Sequence, residues 1–465
     1  MTKFKLHLRN LNYLKVKKVV KSILVIGVLV IGYVVFTNYN RLNIISGYSA
    51  KNMSSSVFLA GRSLEITDNQ DNNFSPIDLA KDEVDLETKS ATASVYGFME
   101  RTAIYKEGLG SILMNDDFDE HSQFSVPNRS ILTTNLPYPY GDGVLNDTVF
   151  STINYSELQN AINNAFDKEG VIAKKTRAVV VLYKDQLIAE KYADGFDENS
   201  KILGWSMTKS ITSAVLGVLE KQGRVSSSQT NLFPEWEGDD RSEITLNNLL
   251  QMNSGLEWLE DYNTMSDVSK MLFLETDMTQ SQKVKPLIGE PNNSWNYSSG
   301  TSNLLSGFIR DQFKTHQEYL DFWYTELIDK IGMSSMVIET DLSGNYVGSS
   351  YGWATPRDWA KFGLLYLHKG NWNGEQILNA SWVTYSSTPT NGSNGEYGAH
   401  FWLNAGGIYS NVPKDLFSCN GYQGQRVFII PSKELVIVRM GLTENSDFNF
   451  DGFLKEILAS IKENE

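Results

Sequence analysis

One serine and one lysine, three residues apart, carry the chemistry that this sequence could perform. Gly204-Trp-Ser-Met-Thr-Lys-Ser210 holds the single Ser-x-x-Lys of the chain, Ser206 with Lys209. Behind it, Ile211, Ala214, Val215, Val218 and Leu219 recur at helical spacing, and Gly223 supplies a stop. The spacing predicts a helix over 211–222 with Ser206 at its N-terminal end. There, unpaired backbone N–H groups and the helix dipole favour developing negative charge. Lys209 then stands one turn along on the same face. A hydroxyl needs a base to become a nucleophile, and a lysine in a partly buried, cation-rich site can lose its charge near neutrality and serve as one. Alone the pattern is weak, because most such serines are helix caps followed by a solvated lysine.

Two further stretches offer partners. In Trp295-Asn-Tyr-Ser-Ser-Gly300, Tyr297 and Ser299 are two apart, so in an extended or looped backbone both can face one cavity. A phenol beside a lysine ammonium is expected to have a lowered pKa and to relay a proton to a leaving group. The bland alternative is a core tyrosine in a glycine turn. Ser418-Cys-Asn-Gly-Tyr-Gln-Gly-Gln425 allows close backbone approach to a ligand at Gly421. The N–H of Tyr422, paired with that of Ser206, would make a two-donor oxyanion hole. Trp205, Tyr262, Ser299, Gly421 and Gln425 are the expected substrate-lining positions. The five histidines are scattered and form no spaced ligand cluster, so neither metal nor cofactor is expected.

These residues need a scaffold. An amphipathic helix over 155–168 precedes two strands, 178–183 and 187–192, joined by Lys184-Asp-Gln. A mostly helical stretch follows from 246 to about 331. Strands 426–430 and 435–440 form a second hairpin, and a closing helix runs over 453–461. Terminal helices and hairpins around a helical middle predict an α+β domain over 151–465, with a helical subdomain at about 246–335. Residues 39–150 read as an N-terminal collar, with short strands near 91–96 and 102–105 and a polar loop over 67–76.

Composition bounds the rest. The 465 residues are 41% hydrophobic and 21% charged, as in a folded globular protein. Net charge is −14 although residues 1–21 carry seven Lys or Arg and no acid, so the remainder carries −21 and no nucleic-acid partner is expected. Cys419 is the only cysteine, which excludes an internal disulfide. The basic segment 1–21 leads into an apolar run over 19–36, and no small-x-small cleavage site follows closely. The expectation is an uncleaved single-pass membrane anchor, basic end in the cytoplasm, with the domain periplasmic or extracellular.

Ser206-x-x-Lys209, Tyr297-x-Ser299 and a glycine motif on a C-terminal strand, in that order, resemble the serine β-lactamase and penicillin-recognising superfamily. Leu249-Leu-Gln-Met-Asn-Ser-Gly-Leu256 and Ala354-Thr-Pro-Arg-Asp358 with Ala360-Lys-Phe-Gly363 look like further signatures of it. Glu257-Trp-Leu-Glu-Asp-Tyr262 is similar to a stretch in the branch of class C-like esterases and 6-aminohexanoate-oligomer hydrolases. Ser54-x-x-Val57-Phe58 and Gly61-Arg62 resemble membrane-associated members of that branch. The resemblance implies a β-lactamase/transpeptidase-like antiparallel sheet flanked by helices, and acyl transfer through Ser206 with Lys209 and Tyr297 as base. It implies a small-molecule ester or amide substrate. Two departures stand out. Cys419, or a residue slightly earlier given that hairpin lengths vary, occupies the place of the lysine of Lys-Thr-Gly, and Ser-Asp-Asn is missing, which weakens the case for penicillins and peptide carboxylates as substrates. A Ser-His-Asp hydrolase fits poorly, since no Gly-x-Ser-x-Gly surrounds Ser206 and His400 reads as a packing residue. A non-catalytic or slowly turning-over sensor stays open as an alternative, as does a peptidase or β-lactamase acting on cell-wall-like substrates.

Overall fold

The computed structural model describes residues 2–462 apart from 116–117, 119–123, 132–133, 169, 171–172 and 444–447, with side chains described from Val16 onward. The side chains of Lys3, Lys5, Arg9 and Lys15, on which the basic-segment expectation partly rests, lie outside the described residues.

A six-stranded antiparallel sheet organises the molecule. With β1–β4 in the N-terminal region (below), its strands are β5 (Thr176–Tyr183), β6 (Gln186–Tyr192), β7 (Trp402–Leu403), β8 (Phe417–Gly421), β9 (Gln425–Ile430) and β10 (Leu435–Gly441). The order is β7-β8-β9-β10-β5-β6, so the first and last hairpins of the domain pair at its centre. Both faces are buried, and the strands are apolar on both. Ala178, Val180, Leu182, Val436 and Val438 face one core, and Val179, Val181, Leu435 and Ile437 the other. Each such side chain removed from water contributes about 1.5–3 kcal/mol. The helix Tyr155–Ala165 and the C-terminal helix Phe450–Ala459 cover the second face. The Ser206 helix, Thr208–Lys221, and the helix Pro356–Leu367 cover the first. The sheet with its flanking helices is the expected antiparallel architecture.

The N-terminal region is built around one helix, α1 (Thr2–Ser54). From Val16 to Phe36 its large apolar side chains are exposed, and it is long and apolar enough to cross a membrane. Thr37 and Asn38 fold back onto the carbonyls of Tyr33 and Val34, at 2.9 and 2.8 Å. The same helix then enters the protein. Ile44 to Ser56 are buried, against a four-stranded meander of β1 (Ala80–Asp85), β2 (Ser90–Val95), β3 (Phe98–Lys106) and β4 (Gly110–Leu113). Lys51 pairs with Glu339, which also accepts from Ser55 Oγ and the Ser111 N–H (both 2.7 Å) and from Trp353 Nε1 (2.9 Å). The polar stretch 67–76 is exposed at Asp68, Asn69, Gln70, Asn73 and Ser75 and buried at Thr67, Asp71 and Asn72. It includes a short π-helical turn, and Asp71 within it is buried between Arg62 and Arg177 (2.7 and 2.6 Å), clamping this region to β5. A polar composition misleads here because the charges are paired inside.

Candidate active site

Ser206 lies in a 3₁₀ turn, Trp205–Met207, that runs directly into the helix starting at Thr208, three residues before the apolar pattern begins. The turn is tied down tightly. Gly204 N–H donates to Gly352 O (2.8 Å), Thr208 Oγ1 donates to Trp205 O (2.7 Å), and Gly352 N–H donates back to Thr208 Oγ1 (2.9 Å). Trp205 adopts a left-handed φ of 48°, a strained value for a bulky residue, which the surrounding bonds and packing hold next to Ser206. A Cβ on Gly204 would meet the Trp359 ring at 2.4 Å, so glycine is required there.

Lys209 is fully buried, and its Nζ reaches Ser206 Oγ at 3.0 Å, Ser299 Oγ at 2.9 Å and Ser349 O at 2.9 Å. Burial draws its pKa down to about 8, against the opposing pull of the Glu260 charge. The expected cation-rich surroundings are therefore not the cause; desolvation is. Hydrogen-bond bookkeeping then fixes the geometry of the neutral amine. Ser299 Oγ donates to Glu260 Oε1 at 2.5 Å, so it accepts from Lys209. Ser349 O can only accept. Both N–H donors of the neutral amine are thus used, and its lone pair faces Ser206.

Tyr297 hydrogen-bonds the Ser206 side chain, and Lys209 Nζ lies 5.0 Å from its ring centroid. Its pKa moves opposite to the expectation. Burial pushes it well above the ordinary phenol value, helped by the Glu260 charge and only partly opposed by the bond to Ser206. Desolvation outweighs the neighbouring lysine, so Tyr297 stays a neutral O–H that can pass a proton but is not a standing base.

The other expected positions divide. Trp205 and Tyr262 line a cavity of about 280 Å³ together with Tyr422. Tyr262 stacks on Tyr422 (5.6 Å between centroids) and donates to Glu260 at 2.8 Å. Ser299 does not line a cleft. It is fully buried at the first turn of the helix Ser299–Arg310, where that turn aims it at Lys209. Gly421 packs against the turn that carries Ser206, since a Cβ there would lie 2.0 Å from Gly204 O. The Tyr422 ring in turn packs edge-on against Trp205, 5.7 Å between centroids. Gln425 is buried too, donating to Tyr422 O at 3.2 Å and to Gly441 O, and accepting from Gly441 N–H at 3.0 Å. It holds the turn in place. Cys419 faces the apolar core near Ser210 and Tyr366, with its thiol pushed up to about 12 by burial. His400 is a packing residue, bonded to Ser302 Oγ and Leu250 O at 2.9 and 2.7 Å and held neutral by burial, its pKa drawn down to about 3.

Glu260 is the participant that sequence reasoning missed. It accepts from the Ser299 N–H (2.9 Å) and hydroxyl, from Trp258 Nε1 (2.6 Å) and from Tyr262. It thus sits at the N-terminus of the Ser299 helix, where a carboxylate is favoured. The signal was present in Glu257-Trp-Leu-Glu-Asp-Tyr262, a carboxylate between two aromatic residues.

A serine, a buried lysine and a tyrosine meeting at the junction of a helix and an antiparallel sheet define a serine hydrolase of the β-lactamase architecture. The chain belongs to the β-lactamase family, whose profile matches residues 170–454. It is 23% identical over 319 residues to the 6-aminohexanoate-dimer hydrolase of Paenarthrobacter ureafaciens, covering 62% of this chain and 78% of that one. Among solved structures it is similar to one provisionally assigned as a 6-aminohexanoate-dimer hydrolase from Bacillus anthracis (TM-score 0.54, 19% identity, 72% and 89% of the two chains). A family VIII carboxylesterase is also similar (TM-score 0.51, 14% identity, 69% and 98%).

Proposed function

We propose that this protein hydrolyses a carboxylic ester or amide through an acyl-Ser206 intermediate. The observation that carries the reading is the Lys209 amine, 3.0 Å from Ser206 Oγ, buried among neutral partners and half-deprotonated at about pH 8. Lys209 takes the Ser206 proton as the hydroxyl attacks the carbonyl carbon. The N–H groups of Ser206 and Tyr422 receive the oxyanion, and Tyr297 passes the proton to the leaving group. Water then cleaves the acyl-enzyme. The names of the similar proteins, a 6-aminohexanoate-dimer hydrolase and a carboxylesterase, support a hydrolase reading.

Uncharged acyl substrates are preferred and penicillins are poor ones, because a core-facing cysteine stands where a carboxylate-binding lysine would be. The exposed apolar segment anchors the protein in a membrane, with the catalytic domain outside the cytoplasm. Purified protein should turn over 4-nitrophenyl butyrate and react with a fluorophosphonate probe, and Ser206→Ala should lose both. Labelling that survives this substitution would place the nucleophile elsewhere. Stoichiometric labelling without turnover would make the protein a sensor. Protease added to spheroplasts should digest the domain; protection would reverse the topology.

A further inference from the structure

The cavity beside the active site shares a wall with the helix that leaves it for the membrane. Trp205, Tyr262 and Tyr422 form one side. Ile44, Ile45 and Tyr48 of α1 line it as well, with Phe74, Ile77, Leu272 and Phe273 making most of the rest apolar. Tyr48 stacks on Trp205 at 5.9 Å, so the membrane-proximal helix touches the residue preceding the nucleophile. Arg41, exposed, lies at the rim.

Helix geometry sets the distance from this rim to the exposed apolar segment. α1 runs unbroken through this region, and at 1.5 Å per residue Arg41 is only about 7–8 Å beyond Phe36, and Ile44 about 12 Å. The headgroup layer on each side of a bilayer is of that order, roughly 5–8 Å. Arg41 therefore sits at headgroup level, and the cavity opens just above it.

A second, independent feature marks the same end of the molecule. On β3, Arg101 bonds Asn43 at 2.8 Å, while Ala103 packs with Ala50 farther along α1. The strand thus runs in the same direction as the helix, and its start points back toward the apolar segment. The β2–β3 hairpin tip lies there, with Tyr96 73% and Phe98 66% exposed. Leu79, 42% exposed, adjoins the same edge through the Ala80–Val95 pair. Aromatic side chains at such a tip suit the membrane–water interface.

We infer that the substrate is a carboxylic ester of a membrane-resident amphiphile, whose acyl chain passes from the bilayer into the cavity lined by α1. This rests on the serine-hydrolase reading and on the membrane anchor. The chain occupies the apolar cavity and its carbonyl reaches Ser206 past the three aromatic rings. Ser206 Oγ bonds to the carbonyl carbon and the ester C–O bond breaks. The alcohol leaves with the proton taken from Ser206, and water then releases the fatty acid and restores the hydroxyl. The apolar contacts of the chain supply the binding, at about 0.8 kcal/mol per buried methylene.

The test uses the full chain reconstituted in phosphatidylcholine vesicles. Three substrates are compared: 4-nitrophenyl butyrate in water, 4-nitrophenyl octanoate below its aggregation limit, and dioleoylglycerol in the vesicles, read as oleate release. Oleate release that needs Ser206, with the double variant Tyr96→Ser/Phe98→Ser lowering it at least fivefold while butyrate turnover is unchanged, supports the inference. Butyrate turnover without oleate release overturns it and leaves the hydrolase reading standing. So does oleate release indifferent to the double variant. Failure on all three substrates refutes the hydrolase reading itself.

Discussion

Two of the buried lysines among the described residues, Lys51 and Lys209, are held in opposite ways. Lys51, on α1, touches the Glu339 carboxylate and donates to Ser55 Oγ at 3.0 Å. Lys209 touches two hydroxyls and a carbonyl, and its nearest carboxylate, Glu260, lies one hydrogen bond farther away behind Ser299. Burial lowers both. For Lys51 the contacting Glu339 carboxylate opposes that shift through its opposite charge and a direct hydrogen bond. For Lys209 the opposing charge is held at arm's length, and the amine form has its bonds satisfied without it. Burial depresses both lysines; Lys51 has a carboxylate in direct contact to oppose it, whereas the carboxylate that opposes it at Lys209 acts from behind Ser299.

That contrast can be broken from either side. Lys209→Ala should cost the largest effect, a fall in ester turnover of about 10²–10⁴-fold with Ser206 still present, as expected for loss of a general base. Retained turnover would mean that another group takes the proton. Glu339→Ala should leave Lys51 as an uncompensated buried charge and destabilise the fold by about 3–5 kcal/mol, measured by denaturant unfolding. A change within 1 kcal/mol would show that the pair is solvated. Ser299→Ala removes one acceptor of the Lys209 amine and should lower turnover about tenfold, the cost of one lost hydrogen bond. The smallest and most discriminating change is Glu260→Gln. Glu260 raises the Lys209 pKa, so neutralising it should move the midpoint of the pH–rate profile downward, whatever happens to the maximum rate. An upward shift would mean that Glu260 acts on some other group.

The sequence made the local parts of this site readable. Ser206 and Lys209 are three residues apart on one helical turn, and that spacing alone brings them together. Glu260 was hidden because its partner Ser299 is 39 residues away, and only the folded chain shows that they meet. Ser299 and Gln425 were assigned to the cleft from proximity in sequence, whereas their backbones direct them inward. Tyr297 was expected to be acidified by its lysine neighbour, an argument from charge that could not weigh the burial of its ring. The apolar run over 19–36 was visible from composition. The continuation of the same helix into the core was not, because residues 44–56 mix apolar with small polar side chains, several of which bond distant partners such as Asp82, Ser111 and Glu339.

The central claim is that Lys209, in its neutral form, activates Ser206. Its most direct test is the pH dependence of Ser206 acylation by a fluorophosphonate between pH 6 and 10. The account predicts a rate that rises with pH as the amine loses its proton and levels off above a midpoint near 8. A flat profile, or a midpoint that survives in Lys209→Ala, would contradict it.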